Sequence, residues 1–279
     1  MASDNARQVA EWNGSVGERW AAEQERTDRL IKPYGDAMVA AAKPQSGEAV
    51  LDVGCGCGDT SLAVAQLVGA PGRVLGVDVS APMLAVARRR AEGLGNVAFL
   101  EADASAAALP GPFDLLVSRF GVMFFDDPAA AFAHLRVALK PGARLAFVCW
   151  QTAAQNPWAT LPAQTARKAA GMETPPADPA APGPFAFGDA DRVTGILAAA
   201  GFRDIRADGF EAPMYLGSSP RSAAEGVTRI GPASRVAIEA GPEHLPAIQS
   251  AIETALAPHA SADGSVSLAG RTWIFAARV

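Results

Sequence analysis

Three alternating glycines, Gly54, Gly56 and Gly58, follow Asp52 at the end of the apolar run Val50–Val53. Glycine lets the backbone turn sharply and lets a ligand approach with no Cβ in the way. A second apolar run, Val74–Val77, ends in Asp78. A carboxylate at that remove from a glycine turn is placed to accept hydrogen bonds from ribose hydroxyls. Together these residues imply an adenosine-containing cofactor held at the C-terminal edge of a parallel sheet.

The glycine spacing narrows the choice of cofactor. A dinucleotide site calls for G-x-G-x-x-G facing a pyrophosphate. Here Asp59 stands where the third glycine of that frame would fall. An acidic residue facing the loop suits a cofactor with a cationic end. The pattern from Asp52 to Gly58 resembles motif I of the class I S-adenosylmethionine-dependent methyltransferases. Two further readings compete with it. One is a nucleotide-dependent oxidoreductase on a related fold, and the other is a non-catalytic cofactor-binding protein.

The elements that must position these residues follow from periodicity. Ala49–Val53, Arg73–Val77, Val97–Glu101, Phe113–Ser118 and Arg144–Cys149 read as strands. Thr60–Val68 reads as a helix, and Ser80 caps another with Pro82 in its first turn. Asp127-Pro128 is a helix start, and the spacing predicts a stop at Lys140-Pro141-Gly142. This alternation predicts parallel βαβ units. The fold expected is α/β, a Rossmann-like doubly wound sheet of seven strands. Most are parallel, the last is antiparallel, and a helical and irregular cap is added.

Residues 1–46 read as a helical arm over the cofactor site, and 47–150 as the cofactor-binding core. The stretch 151–188 carries seven prolines and reads as an irregular cap insertion. Residues 189–208 continue the core, with a helix over Asp189–Ala200 and a strand over Phe202–Ala207. Residues 209–268 form a second insertion, and 269–279 the final core strand.

Composition bounds the possibilities. At 279 residues with 49% apolar content, the chain can bury a sizeable core. A net charge of −5 argues against a nucleic-acid partner. The basic run Arg88-Arg89-Arg90 sits late in a helical pattern, where cations suit the helix dipole. The three cysteines form no disulfide framework and fit a reducing, cytoplasmic setting. Cys55-x-Cys57 lacks the partners that would complete a metal site, so none is expected. The start of the chain lacks a basic segment followed by an apolar one, and no apolar run reaches membrane-spanning length.

Further site residues follow from position along the strands. Val79 and Met83 would border the adenine. Asp103, with Ala104 after it, is placed to accept from the adenine amine. Ser118, Arg119 and Phe120 follow the fourth strand, where the reactive end of the cofactor should lie. Arg119 would pair with a cofactor carboxylate or an anionic substrate group, or form a structural bridge to Asp126 or Asp127. Trp150 ends the fifth strand and faces substrate. Trp12, Trp20 and Tyr34 would close over the cofactor. His134 reads as structural, and His244 and His259 fall in the cap with no legible partner.

The run of features from Val50 to Trp150 is similar to the methyltransferase branch that contains the ubiquinone/menaquinone-biosynthesis enzymes. The residues carrying the resemblance are Leu51–Gly58, Gly76–Ser80, Phe113–Ser118 and Leu139–Gly142. It implies S-adenosyl-L-methionine as cofactor, S-adenosyl-L-homocysteine as product, and a small, hydrophobic methyl acceptor. The cofactor site it implies comprises Trp20, Asp52, Gly54, Cys55, Gly56, Asp78, Val79, Met83, Asp103, Ala104 and Ser118. The substrate pocket would add Tyr34, Arg119, Phe120 and Trp150. No general base is assigned, and a homodimer is compatible with the reading.

Overall fold

The computed structural model describes residues 4–174 and 178–279. Met1–Ser3 at the start, and Pro175, Pro176 and Ala177 of the proline-rich stretch, lie outside the described residues. Three helices open the chain: α1 (Asp4–Asn13), α2 (Ser15–Ala22) and α3 (Gln24–Ala42). The alternation then runs β1 (Ala49–Val53), α4 (Asp59–Val68), β2 (Arg73–Asp78), α5 (Ala81–Arg90) and β3 (Val97–Glu101). It continues with β4 (Phe113–Arg119), α6 (Pro128–Val137), β5 (Leu139–Trp150) and α7 (Pro157–Ala169). After α8 (Ala190–Ala199) and β6 (Arg203–Gly217) come α9 (Pro220–Val227), α10 (Pro232–Ala240) and α11 (Leu245–Leu256). The last element is β7 (Val266–Arg278).

The seven strands form one sheet in the order β3-β2-β1-β4-β5-β7-β6. β1 to β5 pair in parallel, and β7 is antiparallel to both its neighbours. From β1 the chain builds outward one way through β2 and β3, and the other way through β4 and β5. Right-handed crossovers therefore place α4 and α5 on one face and α6 on the other. The crevice between β1 and β4 is the point where strand order reverses, and open sheets of this kind bind ligands there.

The central strands are made of residues that can be buried on both faces, whereas the edge strands β3 and β6 are partly exposed. All of β1 is buried, and so are Leu115, Leu116 and Val117 of β4. Phe132 of α6, Phe147 of β5, Phe187 and Phe275 of β7 form a ring cluster with centroids 5.0–6.2 Å apart. Burying each such ring contributes about 1.5–3 kcal/mol.

The elements differ from the sequence expectation in four places. The helix begun at Asp127 ends at Val137, and Leu139 already pairs with Phe113 as strand. Lys140-Pro141-Gly142 forms an irregularity within β5, because Pro141 lacks an N–H and Gly142 holds a φ of +79°. The 151–188 stretch holds a regular helix, α7, started by Pro157 in its first turn. β6 runs on to Gly217 and β7 begins at Val266, because the two pair antiparallel well beyond the core. Ser80 precedes α5 without a side-chain cap; its hydroxyl instead donates to Trp12 O at 2.7 Å.

Helices α7, α9, α10 and α11 pack on one another as a cap. The arm α1–α2 docks on the loop after β2. Asn13 Nδ2 donates to Val79 O at 2.7 Å, and Asn13 Oδ1 accepts from Ala81 N at 2.9 Å. Among the described residues, no helix is long and apolar enough to cross a membrane.

Candidate active site

The C-terminal ends of β1, β2 and β4 open into a cavity of about 260 Å³. Its floor is the glycine loop. Gly54, Gly56 and Gly58 all hold positive φ, at +69°, +53° and +83°. A Cβ on Gly54 would lie 2.6 Å from Gly121 Cα, so the loops after β1 and β4 touch only because both residues are glycine. Ser118 pins that crossing. Its hydroxyl donates to Val53 O at 2.7 Å and accepts from Gly121 N at 3.2 Å.

Asp78 ends β2 with its carboxylate on the same loop. Oδ2 accepts from Gly56 N at 2.7 Å, and Oδ1 accepts from Ser80 N at 2.9 Å. Burial pushes its carboxyl above the ordinary carboxylate range, opposed by those backbone N–H groups. Val79, Met83, Asp103 and Ala104 line the cavity beside it. Asp103 Oδ1 accepts from the amide and the hydroxyl of Ser105, at 2.8 and 2.6 Å.

The wall opposite is aromatic. Phe120 stacks on Trp150 with centroids 4.4 Å apart and an interplanar angle of 10°, and Trp150 meets Trp158 at 4.6 Å. Phe120 holds a φ of +63°, which costs a bulky residue about 1–3 kcal/mol and is found preferentially at functional sites. Its backbone N–H donates to Val148 O at 3.1 Å, which anchors the strained residue. Trp12 and Trp20 meet edge to face at 5.7 Å, and Trp12 contacts Phe124 at 5.5 Å. Both tryptophans line the cavity.

An ion-pair network closes the side between the arm and the glycine loop. Arg119 donates to Asp59 at 2.9 Å and lies 3.4 Å from Asp28. Arg90 pairs with the same two carboxylates at 3.0 and 3.1 Å. Arg119 therefore forms a structural bridge, to Asp28 and Asp59 rather than to Asp126 or Asp127. It is the only basic residue among the described residues that line the cavity.

The cavity brings together Trp20, Gly54, Cys55, Gly56, Asp78, Val79, Met83, Asp103, Ala104, Arg119, Phe120 and Trp150. Three expected site residues lie outside its lining. Asp52 is 1% exposed and accepts from Ser61 Oγ at 2.6 Å, behind the loop. Burial pushes its carboxyl up to about 6, against the hydroxyl of Ser61 and the charge of Arg119. Ser118 is fully buried at the loop crossing. Tyr34 is fully buried under the aromatic wall, its hydroxyl donating to Ala212 O at 2.9 Å.

Several lining residues carried no sequence expectation, among them Gln24, Thr27, Asp28 and Trp158. Their signal was present in part: Thr27, Ile31, Tyr34 and Met38 recur at helical spacing on one face of α3. Among the described residues, no group of acidic, histidine and cysteine side chains could hold a metal ion. Cys55, Cys57 and Cys149 are free and buried, and burial pushes the Cys57 thiol up to about 12. His134 Nε2 lies 2.8 Å from Ala107 O, a structural contact.

Comparison with known proteins agrees with this geometry. A family described as a methyltransferase domain matches residues 50–142. The chain is 30% identical to the nocamycin O-methyltransferase of Saccharothrix syringae over 187 residues, 63% of this chain and 67% of that one. It is 36% identical to the aklanonic acid methyltransferase DauC of a Streptomyces species over 127 residues, 43% of this chain and 58% of the relative. It is 46% identical to the demethylmenaquinone methyltransferase of Thermus thermophilus over 99 residues, 34% and 44% of the two chains. The chain thus spans about half the length of these last two relatives. In fold it is similar to the YcgJ protein of Bacillus subtilis, with a TM-score of 0.58 at 17% identity over 88% of this chain and 97% of that one. A Haemonchus contortus phosphoethanolamine N-methyltransferase, solved with S-adenosyl-L-methionine, gives 0.55 at 20% identity, covering 88% of this chain and 52% of its own. This chain belongs to the class I S-adenosylmethionine-dependent methyltransferases.

Proposed function

We propose that this protein transfers a methyl group from S-adenosylmethionine to a small, apolar acceptor. The observation that carries the reading is the Asp78–Gly56 pair. The carboxylate is held by one backbone N–H of the glycine loop and one of the turn after β2, and it still faces the cavity. An ionised carboxylate offers about four lone-pair sites, so two are left for ribose hydroxyls. Gly56 holds a φ of +53°, and a Cβ there would lie 2.7 Å from Met83 Cε.

In this reading Val79 and Met83 border the adenine, and Asp103 accepts from its amine. Gly54, Cys55 and Gly56 let the methionyl chain lie against the backbone, and Trp20 covers it. When bound, the cofactor supplies an electrophilic methyl on a sulfonium and a thioether leaving group. The chain's own contribution is alignment and exclusion of water, and alignment alone supplies a large part of such a barrier reduction. Phe120, Trp150 and Trp158 present an apolar aromatic wall to the acceptor, and the arm closes the opposite side. No side chain is assigned as a base, since neither His244 nor His259 lines the cavity. A base is needed only for an acceptor that is protonated at neutral pH.

The spacing of the loop disfavours a dinucleotide, and three buried free thiols support a cytoplasmic location. We assign the arm and the two insertions to acceptor selection, with the core holding the cofactor. The test is turnover. Incubation with methyl-labelled S-adenosylmethionine and a panel of phenols, quinols and hydroxyacids should release S-adenosylhomocysteine with at least one apolar member. Binding of the cofactor with no turnover across the panel would favour a non-catalytic role instead.

A further inference from the structure

Among the described residues, two buried side-chain polar atoms have no hydrogen-bond partner, Thr27 Oγ1 and Arg136 Nε. Of these residues only Thr27 lines the cavity. Its side chain belongs to a residue 7% exposed on α3. A buried hydroxyl left without a partner costs about 1–3 kcal/mol, so its persistence calls for an explanation.

A helical threonine has an easy remedy, which is to bond the carbonyl four residues back. Thr160, Thr228 and Thr254 all do so, at 3.3, 3.0 and 3.0 Å. Thr27 does not, although its own backbone N–H reaches Glu23 O at 2.9 Å. The polar groups around it are already engaged. Gln24 donates to Asp28, and Asp28 pairs with Arg90 and Arg119. The hydroxyl is thus the unspent polar contact on this face of α3.

Its direction is set by the helix. Successive residues turn by about 100° around the axis. Asp28 and Gly35 face Arg119, on the side of the glycine loop. Tyr34 meets Phe120 and Trp150, on the side of the aromatic wall, at 6.0 and 5.0 Å. Thr27 falls between these two directions, about 20° from that of Tyr34, and lines the cavity on the side of the aromatic wall.

Resting on the methyltransferase reading, we infer that Thr27 is a positioning residue whose hydroxyl binds an oxygen atom of a neutral acceptor. Among the described residues, the slot offers no free cation for an anionic one, because Arg119 is neutralised by two carboxylates. Thr27 then sets the register in which an apolar body packs against the Phe120–Trp150 stack, and so which of its atoms meets the methyl group.

The test uses the full chain saturated with S-adenosylhomocysteine and two probes, 2-naphthol and naphthalene, measured by equilibrium dialysis. They share one body and differ by one hydroxyl. The wild type should bind 2-naphthol about tenfold more tightly, the worth of one buried hydrogen bond. Thr27→Val should erase that preference while leaving naphthalene and S-adenosylhomocysteine affinities unchanged. Thr27→Ser should restore it, which a merely structural role would not do. A wild type with no preference, or a preference that survives in Thr27→Val, overturns the assignment. A fall in S-adenosylhomocysteine affinity in Thr27→Val overturns it too, by giving the hydroxyl to the cofactor. Failure of the wild type to bind S-adenosylhomocysteine at all would instead overturn the reading on which it rests.

Discussion

Replacing Asp78 by alanine separates holding the loop from holding the cofactor. The two carboxylate oxygens accept from Gly56 N at 2.7 Å and Ser80 N at 2.9 Å. Losing them leaves two backbone donors to find water from the cavity, at up to about 1–3 kcal/mol each. Part of that loss is offset, because burial disfavours the charged carboxylate in the first place. The variant should therefore unfold cooperatively in urea at a lower midpoint. Binding should suffer more. Two hydrogen bonds from ribose to a charged acceptor are worth about 1.5–3 kcal/mol each, so their loss weakens binding by roughly 100-fold or more. Calorimetric titration of the folded variant with S-adenosylhomocysteine reads this directly. A folded Asp78→Ala protein whose affinity stays within about threefold of wild type would refute the ribose assignment.

Three further outcomes follow from the geometry. Gly54→Ala puts a Cβ 2.6 Å from Gly121 Cα at a φ of +69°, so the loop crossing must open; a loss of about 3 kcal/mol or more in urea unfolding is expected, with loss of cofactor binding. Tyr34→Phe deletes the hydrogen bond to Ala212 O and should cost about 1 kcal/mol in stability while leaving S-adenosylhomocysteine affinity unchanged, since the residue lies outside the cavity. Asp52→Asn tests a buried carboxyl raised from 3.8 to about 6. The unfolded chain releases this proton near pH 4 and the folded protein only near pH 6, so the group makes wild-type stability fall with rising pH across that window. The asparagine variant lacks the fall, and its stability relative to wild type should grow by about 2 kcal/mol between pH 4 and pH 7 in urea titrations; a constant difference would show that the Asp52 carboxyl is not raised by burial.

The core was legible because its signals are local. A glycine turn between an apolar run and a helical pattern needs no partner elsewhere to be read, and Gly54, Gly56 and Asp78 came together as their spacing implied. Residues that depend on distant partners were not legible. Arg119 was read against its sequence neighbours Asp126 and Asp127, yet its partners Asp28 and Asp59 lie 91 and 60 positions away. Tyr34 has the composition of a pocket residue, but its hydroxyl meets Ala212 O across 178 positions and draws the ring under the wall. Ser118 ends the expected strand, and only its bonds to Val53 O and Gly121 N show that it braces two loops. The α7 helix was hidden by proline, because Pro157 opens the helix and Pro162 sits inside it. The unpartnered hydroxyl of Thr27 is visible only once every neighbouring donor and acceptor has been placed.

The proposed chemistry requires one cofactor. Purified protein should be titrated calorimetrically with S-adenosylhomocysteine and, in parallel, with NAD. The site described here predicts saturable binding of the first at one site per chain and none of the second. Binding of NAD without S-adenosylhomocysteine, or of neither, would contradict it.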